Sequence, residues 1–341
     1  MLIPFLIPFI IAMFLSINMG ASGTAPAFSA AYGARIIKDS LIPGLFGIAV
    51  FVGAIIGGKQ TAKTVGSGLL SPELMSFSVV SIILFSVAIS LLLANIFGIP
   101  QSTSQSTVTA VVAPAIFFDS FDNHKLFYEI LPTWFVMPML SFILAYCTGK
   151  YIYKPLRRKG YTMSARLNQS PYLKALVLIM SIYVAFSIGT NNVANAVGPI
   201  TTMAFNELNI SQDNLIHVLI LSTLIVAPCF GIGSSIMGTK VLQNTGKEIV
   251  LFGRIEAVFI AFLSATLLLI ASLIKGIPTS LVQINVAAII GIAIAKLGSR
   301  NILKKTEVQK FFIMWMISPF ISFLLTFSLI YIFDYYQLLD L

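Results

Sequence analysis

Four short segments concentrate small polar residues inside otherwise apolar sequence. They are Gly20-Ala21-Ser22-Gly23-Thr24-Ala25-Pro26-Ala27, Pro100-Gln101-Ser102-Thr103-Ser104-Gln105, Gly189-Thr190-Asn191-Asn192-Val193-Ala194-Asn195-Ala196 and Pro278-Thr279-Ser280-Leu281-Val282-Gln283. Hydroxyls and carboxamides supply hydrogen-bond donors without charge. A ligand that only accepts hydrogen bonds, such as a small oxyanion, suits that set. Ser22, Thr24, Ser102, Thr103, Ser104, Gln105, Asn191, Asn192, Asn195, Ser280 and Gln283 are therefore candidate substrate-binding residues, and Gly23, between two of them, is counted with the set. Any one of these serines is also explained as a helix-packing contact, which membrane bundles favour. Four such segments at matching places in two halves of the chain point to a site.

Other chemistry is poorly represented. No His-Glu-x-x-His helix or His/Asp constellation occurs, so neither an intramembrane enzyme nor a metal centre is expected. His124 and His217 are isolated near span ends, and Cys147 and Cys229 lie in apolar stretches as small hydrophobes. No appended segment is large enough to form a soluble signalling domain, which disfavours a receptor.

The elements that position the polar segments are membrane helices. Of 341 residues, 57% are hydrophobic and only 10% charged, with mean hydropathy +0.95. Stretches such as 74–97, 215–237 and 311–333 are long enough to cross a hydrocarbon core of about 30 Å. Residues 1–19 are apolar but lack the basic start of a signal peptide, and are expected in the mature protein. The expected fold is all-α and polytopic.

The net charge of +9 reflects loops, not a nucleic-acid surface. Segments 35–39, 150–174, 239–256 and 296–310 carry 17 of the 21 Lys and Arg, and 4 of the 12 acids. The other loops carry 4 basic and 8 acidic residues. The positive-inside rule puts the first group in the cytoplasm of a multi-pass cell-membrane protein, with both termini outside. The central loop, seven basic residues and no acid, also has the composition of a lipid-headgroup or partner site. Orientation explains it more simply.

The chain resembles itself. Trp134-x3-Pro-x2-Ser-Phe142 recurs as Trp315-x3-Pro-x2-Ser-Phe323, and Gly98-Ile-Pro-x-Ser-x-x-Gln105 as Gly276-Ile-Pro-x-Ser-x-x-Gln283. Gly58…Gly66 is echoed more weakly by Gly238…Gly246. The loop after the first Gly-Ile-Pro segment is acidic, while its counterpart at 296–310 is basic, so each half crosses an odd number of times and the repeats are inverted. We expect a first transmembrane repeat over 1–149, a basic linker over 150–171 and a second, inverted repeat over 172–341. About five crossings are expected in each.

Breaks are expected as well. Continuous helices over 2–34 and 172–205 would run about 50 Å, well beyond the core. The runs 18–26 and 189–195 are where each should open, exposing helix N-termini that suit an anion. The Gly-Ile-Pro segments read as re-entrant or interrupted helices, tolerated at membrane depth only where protein or a wet cavity surrounds them.

At these segments the sequence resembles the PiT (inorganic phosphate transporter) family, over essentially the whole chain. That family carries Gly-x-Asn-Asp-x-Ala-Asn-Ala in each half and Pro-x-Ser-Thr-Ser/Thr-His after it. Here the acidic position is Gly23 in one half and Asn192 in the other, and Gln105 and Gln283 replace the histidines. In those departures the chain is similar to the CysP-type sulfate permease branch, including Asn18-Met19-Gly20-Ala21-Ser22-Gly23. The branch implies a symporter importing sulfate, coupled to protons more than to Na⁺, with no cofactor. Glu256 resembles the acid PiT proteins carry there, and Glu73 sits at a loosely equivalent edge. With Asn18 they are the coupling-ion candidates, although an interfacial pair of Glu256 with Arg254 explains that acid equally.

Physical chemistry favours the same substrate. Phosphate keeps protons near neutral pH and can donate to a carboxylate, whereas fully deprotonated sulfate is repelled by one. The alternative is a Na⁺- or H⁺-coupled inorganic phosphate symporter. Expected partners are sulfate or a related oxyanion and the lipid bilayer, with no nucleic acid. A homo-oligomer is compatible with the sequence.

Overall fold

The computed structural model describes residues 2–96, 101–121, 123–158, 170–208, 210, 214–238, 242 and 253–340. Gly98-Ile99-Pro100, Gly246 and the middle of the basic linker (159–169) lie outside them. Among the described residues the chain is helical, with no strand. Eight helices among the described residues are long and apolar enough to cross a membrane. Large apolar side chains such as Ile48, Ile56, Phe135 and Met316 point outward, as lipid-facing residues do.

The first half contains α1 (Leu2–Gly33), α2 (Ile42–Gly57), α3 (Lys59–Ser67), α4 (Phe77–Ile96), α5 (Thr103–Phe117) and α6 (Leu131–Thr148). The second contains α7 (Pro171–Glu207), α8 (Leu215–Val226), α9 (Pro228–Gly233), α10 (Arg254–Leu269), α11 (Leu281–Leu297) and α12 (Thr306–Tyr335).

The breaks do not fall where the polar runs suggest. α1 and α7 are continuous through 18–26 and 189–195, at 32 and 37 residues. The polar side chains are accommodated by bonding back to their own helix. Asn18 Nδ2 donates to Phe14 O at 3.0 Å, Ser22 Oγ to Met19 O at 3.1 Å and Thr24 Oγ1 to Gly20 O at 2.7 Å. In α7, Ser187 and Thr190 do the same to Val184 and Ser187.

The glycines serve close approach between helices. A Cβ on Gly20 would lie 2.2 Å from Phe230 O, and one on Gly233 1.9 Å from Ile17 O. On the other side, a Cβ on Gly189 would lie 2.1 Å from Val50 O, and one on Gly53 2.1 Å from Phe186 O. The same crossing is thus made twice, α1 on α9 and α7 on α2, each time between the two halves.

The chain breaks instead in the Gly-Ile-Pro segments, at 101–102 and 276–280. Gly276 has φ +62°, a left-handed conformation that glycine tolerates, and a Cβ there would lie 2.9 Å from Gln60 O. Each break is the tip of a re-entrant hairpin. α4 starts beside the first turns of α1, where the Phe5 and Phe77 ring centroids are 4.6 Å apart, and ends at its middle, where Asn95 Nδ2 donates to Asn18 O at 3.0 Å. α5 then returns to the starting end, its Phe117 packing on Phe327 and Tyr331 of α12.

α10 and α11 make the opposite hairpin. α10 starts where α1 finishes, with Arg254 Nη2 donating to Ala34 O at 3.4 Å, and Ser272 just beyond it reaches Asn191 in the middle of α7. α11 returns, so that Lys296 in its last turn pairs with Glu256 in the first turn of α10 at 2.5 Å. In place of the five crossings expected per half, the described residues hold four helices of spanning length in each, one of them the first arm of a hairpin. Trp134 secures the second tip, its Nε1 donating to Pro278 O at 2.8 Å.

These contacts define two ends of the molecule. At one, Asp340 accepts from Ser76 Oγ at 2.8 Å and from the Ser78 N–H at 3.0 Å, and Asn206 bonds Pro72 O. The start of α1 lies there too. At the other lie Ala34, next to the 35–39 loop, and Arg254, Glu256 and Lys296, which belong to the basic loop set.

Candidate functional site

The two hairpin tips meet from opposite ends. Gln105 Nε2 donates to Gln283 Oε1 at 3.0 Å, and Gln283 Nε2 returns the bond to Gln105 Oε1 at 2.8 Å. Each glutamine sits in the first turn of its helix. The hydroxyl of the residue three before it caps that turn: Ser102 accepts from the Gln105 N–H at 3.3 Å and Ser280 from the Gln283 N–H at 3.2 Å. The N-termini of α5 and α11, with their partial positive charge and remaining free N–H groups, thus converge at the middle of the structure.

Asn191 ties both tips to α7. Its Nδ2 donates to Ser104 Oγ at 2.9 Å and to Thr279 O at 2.8 Å, and its Oδ1 accepts from Ser272 Oγ at 3.1 Å and the Thr279 N–H at 3.0 Å. Nδ2 also lies 2.7 Å from Asn192 Oδ1. Asn195 Nδ2 reaches Ser104 Oγ at 3.3 Å, while its Oδ1 is buried without a partner.

Beside this hub lies a small cavity walled by all four polar segments. Ser22, Gly23 and Pro26 come from α1, Gln101 and Thr103 from the first tip, Ile188 and Asn192 from α7, and Ser280, Leu281 and Val282 from the second. Its volume is about 10 Å³, room for one water and too little for a tetrahedral oxyanion. No acidic side chain is among the lining residues.

Of the candidate residues, Ser22, Gly23, Thr103, Asn192 and Ser280 line this cavity. Ser102, Ser104, Gln105, Asn191, Asn195 and Gln283 form the bonded shell around it. Thr24 is buried but turned elsewhere: a Cβ on Gly238 would lie 2.9 Å from its Oγ1, and the hydroxyl bonds its own helix. Among the coupling candidates, Asn18 bonds Asn95, Glu73 is exposed, and Glu256 is buried at the basic end. In the structure Lys296 takes the ion-pair place that sequence alternatives gave to Arg254.

The sequence reading missed Gln101, which lines the cavity and donates to Ser90 Oγ at 2.8 Å and Ser106 Oγ at 2.7 Å. Its position inside the Pro-x-Ser pattern was the available signal. Ser272 and Asn95 were also missed, because no repeat motif includes them. The helix N-termini beside the cavity are those of α5 and α11, not openings in α1 and α7.

A multi-pass helical protein whose re-entrant hairpins close on a donor-lined cavity has the architecture of a membrane transporter. The chain matches the Phosphate transporter family over residues 19–326 and belongs to it. It is an inorganic anion transporter of that family.

Among its relatives, the sulfate permease CysP of Bacillus subtilis is 33% identical over 96% of this chain and 88% of its own. A Thermococcus kodakarensis protein provisionally named a phosphate permease is 24% identical over 92% of this chain and 93% of its own. The solved structure of a sodium-dependent phosphate transporter shares the fold, with TM-score 0.82, 19% identity and coverage of 97% of this chain and 99% of that one.

Proposed function

We propose that this transporter imports sulfate by secondary active symport, with protons as the coupling ion. The observation that carries the reading is the cavity wall: serine and threonine hydroxyls, carboxamides and two helix N-termini, with no carboxylate among the lining residues. Such a wall offers a desolvated dianion donors and no like charge. The likeness to a protein named a sulfate permease supports it.

In this reading the halves 1–149 and 172–341 are inverted repeats joined by the basic linker 150–171. The doubled helix crossing and the opposed hairpins support that assignment. The basic end faces the cytoplasm and both termini lie outside. Sulfate enters the cavity when one hairpin tip withdraws, breaking the Gln105–Gln283 pair.

Importing a dianion opposes the membrane potential by about 2.3 kcal/mol per charge per 100 mV. Two co-transported cations cancel that cost, and three turn the potential into a driving force. Protons fit better than Na⁺ because no carboxylate lines the cavity to ligate a metal ion. Glu256, in the first turn of α10 and paired with Lys296, is the candidate proton carrier in this reading.

The second reading is a Na⁺- or H⁺-coupled phosphate symporter. It is favoured by the family's description, the provisional names of several relatives and the structural neighbour. Uptake of radiolabelled sulfate and phosphate into proteoliposomes, each with the other anion in excess, separates the two. Sulfate uptake that excess phosphate leaves intact, and that a pH gradient drives without Na⁺, is expected. Phosphate uptake insensitive to excess sulfate would establish the second reading.

A further inference from the structure

A second, larger cavity of about 370 Å³ lies toward the basic end, between α1, α7, α10 and α11. It shares Pro26 with the small central cavity, so the two adjoin along α1. They also follow one face of α11: Val282 lines the central cavity, and Asn285 and Ile289, one and two turns on, line the larger one. The two cavities thus lie next to each other along α1 and α11, with Pro26 between them.

The chemistry of the larger cavity is specific. Arg254, at the first position of α10, is its charged lining residue, and the N-terminus of that helix adds partial positive charge at the same place. No carboxylate is among the described lining residues. Glu256, two positions on, is engaged by Lys296 at 2.5 Å and by the Gly253 N–H at 3.1 Å. Ser29 and Ser181 add hydroxyls from α1 and α7. Asn285 lines the cavity with its Oδ1 buried and unpartnered.

We propose that this vestibule is a second oxyanion site, in which Arg254 holds the anion between the central cavity and the basic end of the molecule. The inference rests on the transport reading above and adds a station to it. The bound species is a soluble tetrahedral dianion, sulfate or phosphate, leaving or re-entering the central cavity. An arginine at a recessed mouth concentrates such an anion locally, so the site makes transport sensitive to product anion on that side.

The test uses the full-length protein carrying Ser29→Cys in phosphatidylcholine nanodiscs. Modification of position 29 by an anionic and by a neutral methanethiosulfonate is followed by mass spectrometry. Sulfate should slow modification relative to chloride at matched ionic strength. Arg254→Gln should abolish that protection and slow the anionic reagent roughly tenfold while leaving the neutral one unchanged. Arg254→Lys should retain both effects, and the unchanged neutral rate shows that the variants are folded.

Protection by phosphate but not by sulfate would uphold the vestibule site and sink the sulfate assignment, so the two failures are distinguishable. Protection by neither anion, or protection that survives Arg254→Gln, would overturn the proposal. So would protection produced by anionic phosphatidylglycerol in the absence of either soluble anion, since a lipid headgroup would then be the occupant.

Discussion

Residues 105 and 283 show how far side-chain chemistry depends on partners. Both glutamines are rich in donors, yet each amide spends a donor and its acceptor on the other. Gln105→Leu leaves the Gln283 amide buried without its partner, and should lower stability by about 1–3 kcal/mol. The double Leu variant should lose less than the sum of the two single changes, a non-additivity that thermal unfolding in detergent measures. Asn192 is different, since it lines the cavity itself. Asn192→Asp places a carboxylate against the cargo and should raise the half-saturating sulfate concentration at least about tenfold, one factor of ten per 1.4 kcal/mol. Unchanged sulfate kinetics would put residue 192 outside the site.

At the level of elements, the hairpins and the helix crossings are each made twice. A Cβ on Gly53 or Gly189 would lie 2.1 Å from a carbonyl oxygen of the facing backbone, which no side-chain movement relieves. Gly189→Ala should therefore destabilise by about 1–3 kcal/mol and depress transport. Gly44→Ala, where a Cβ meets nothing within 4 Å, should do neither. Melting temperature and uptake of the two variants side by side check this.

The polar segments that converge, and the Gly-Ile-Pro segments near which the chain breaks, were legible in sequence because their motifs recur in the same order in both halves. The location of the breaks was not. Gly, Pro and Asn inside α1 and α7 look like helix breakers in isolation. Their glycines instead admit a neighbouring backbone, and their polar groups bond within the helix or to the hairpin tips, facts that depend on elements far away in the chain. The amide pair was illegible for the same reason: sequence shows two donors, and only the tertiary contact shows that they meet.

Across the whole molecule, the contacts separate an end holding the start of α1 and the Asp340 tail from an end holding Arg254, Glu256 and Lys296. In the orientation proposed here, a cysteine replacing exposed Glu73 reacts with a membrane-impermeant thiol reagent added outside intact cells. One replacing exposed Lys304 reacts only after permeabilisation. Labelling of both from the same side would refute the opposed arrangement of the loops. The vestibule of about 370 Å³ lies toward the basic end, and the central cavity beside it is only about 10 Å³. In the proposed mechanism, movement of a hairpin tip, breaking the amide pair and the bonds radiating from Asn191, is the step that admits an anion.

A density map of the protein saturated with sulfate tests the central claim most directly. The account predicts a tetrahedral density between the N-termini of α5 and α11, touched by Ser22, Thr103, Asn192 or Ser280 and by backbone N–H groups, with every aspartate and glutamate beyond hydrogen-bonding distance. An acidic side chain in contact with the anion, or an anion seated away from the two hairpin tips, would contradict it.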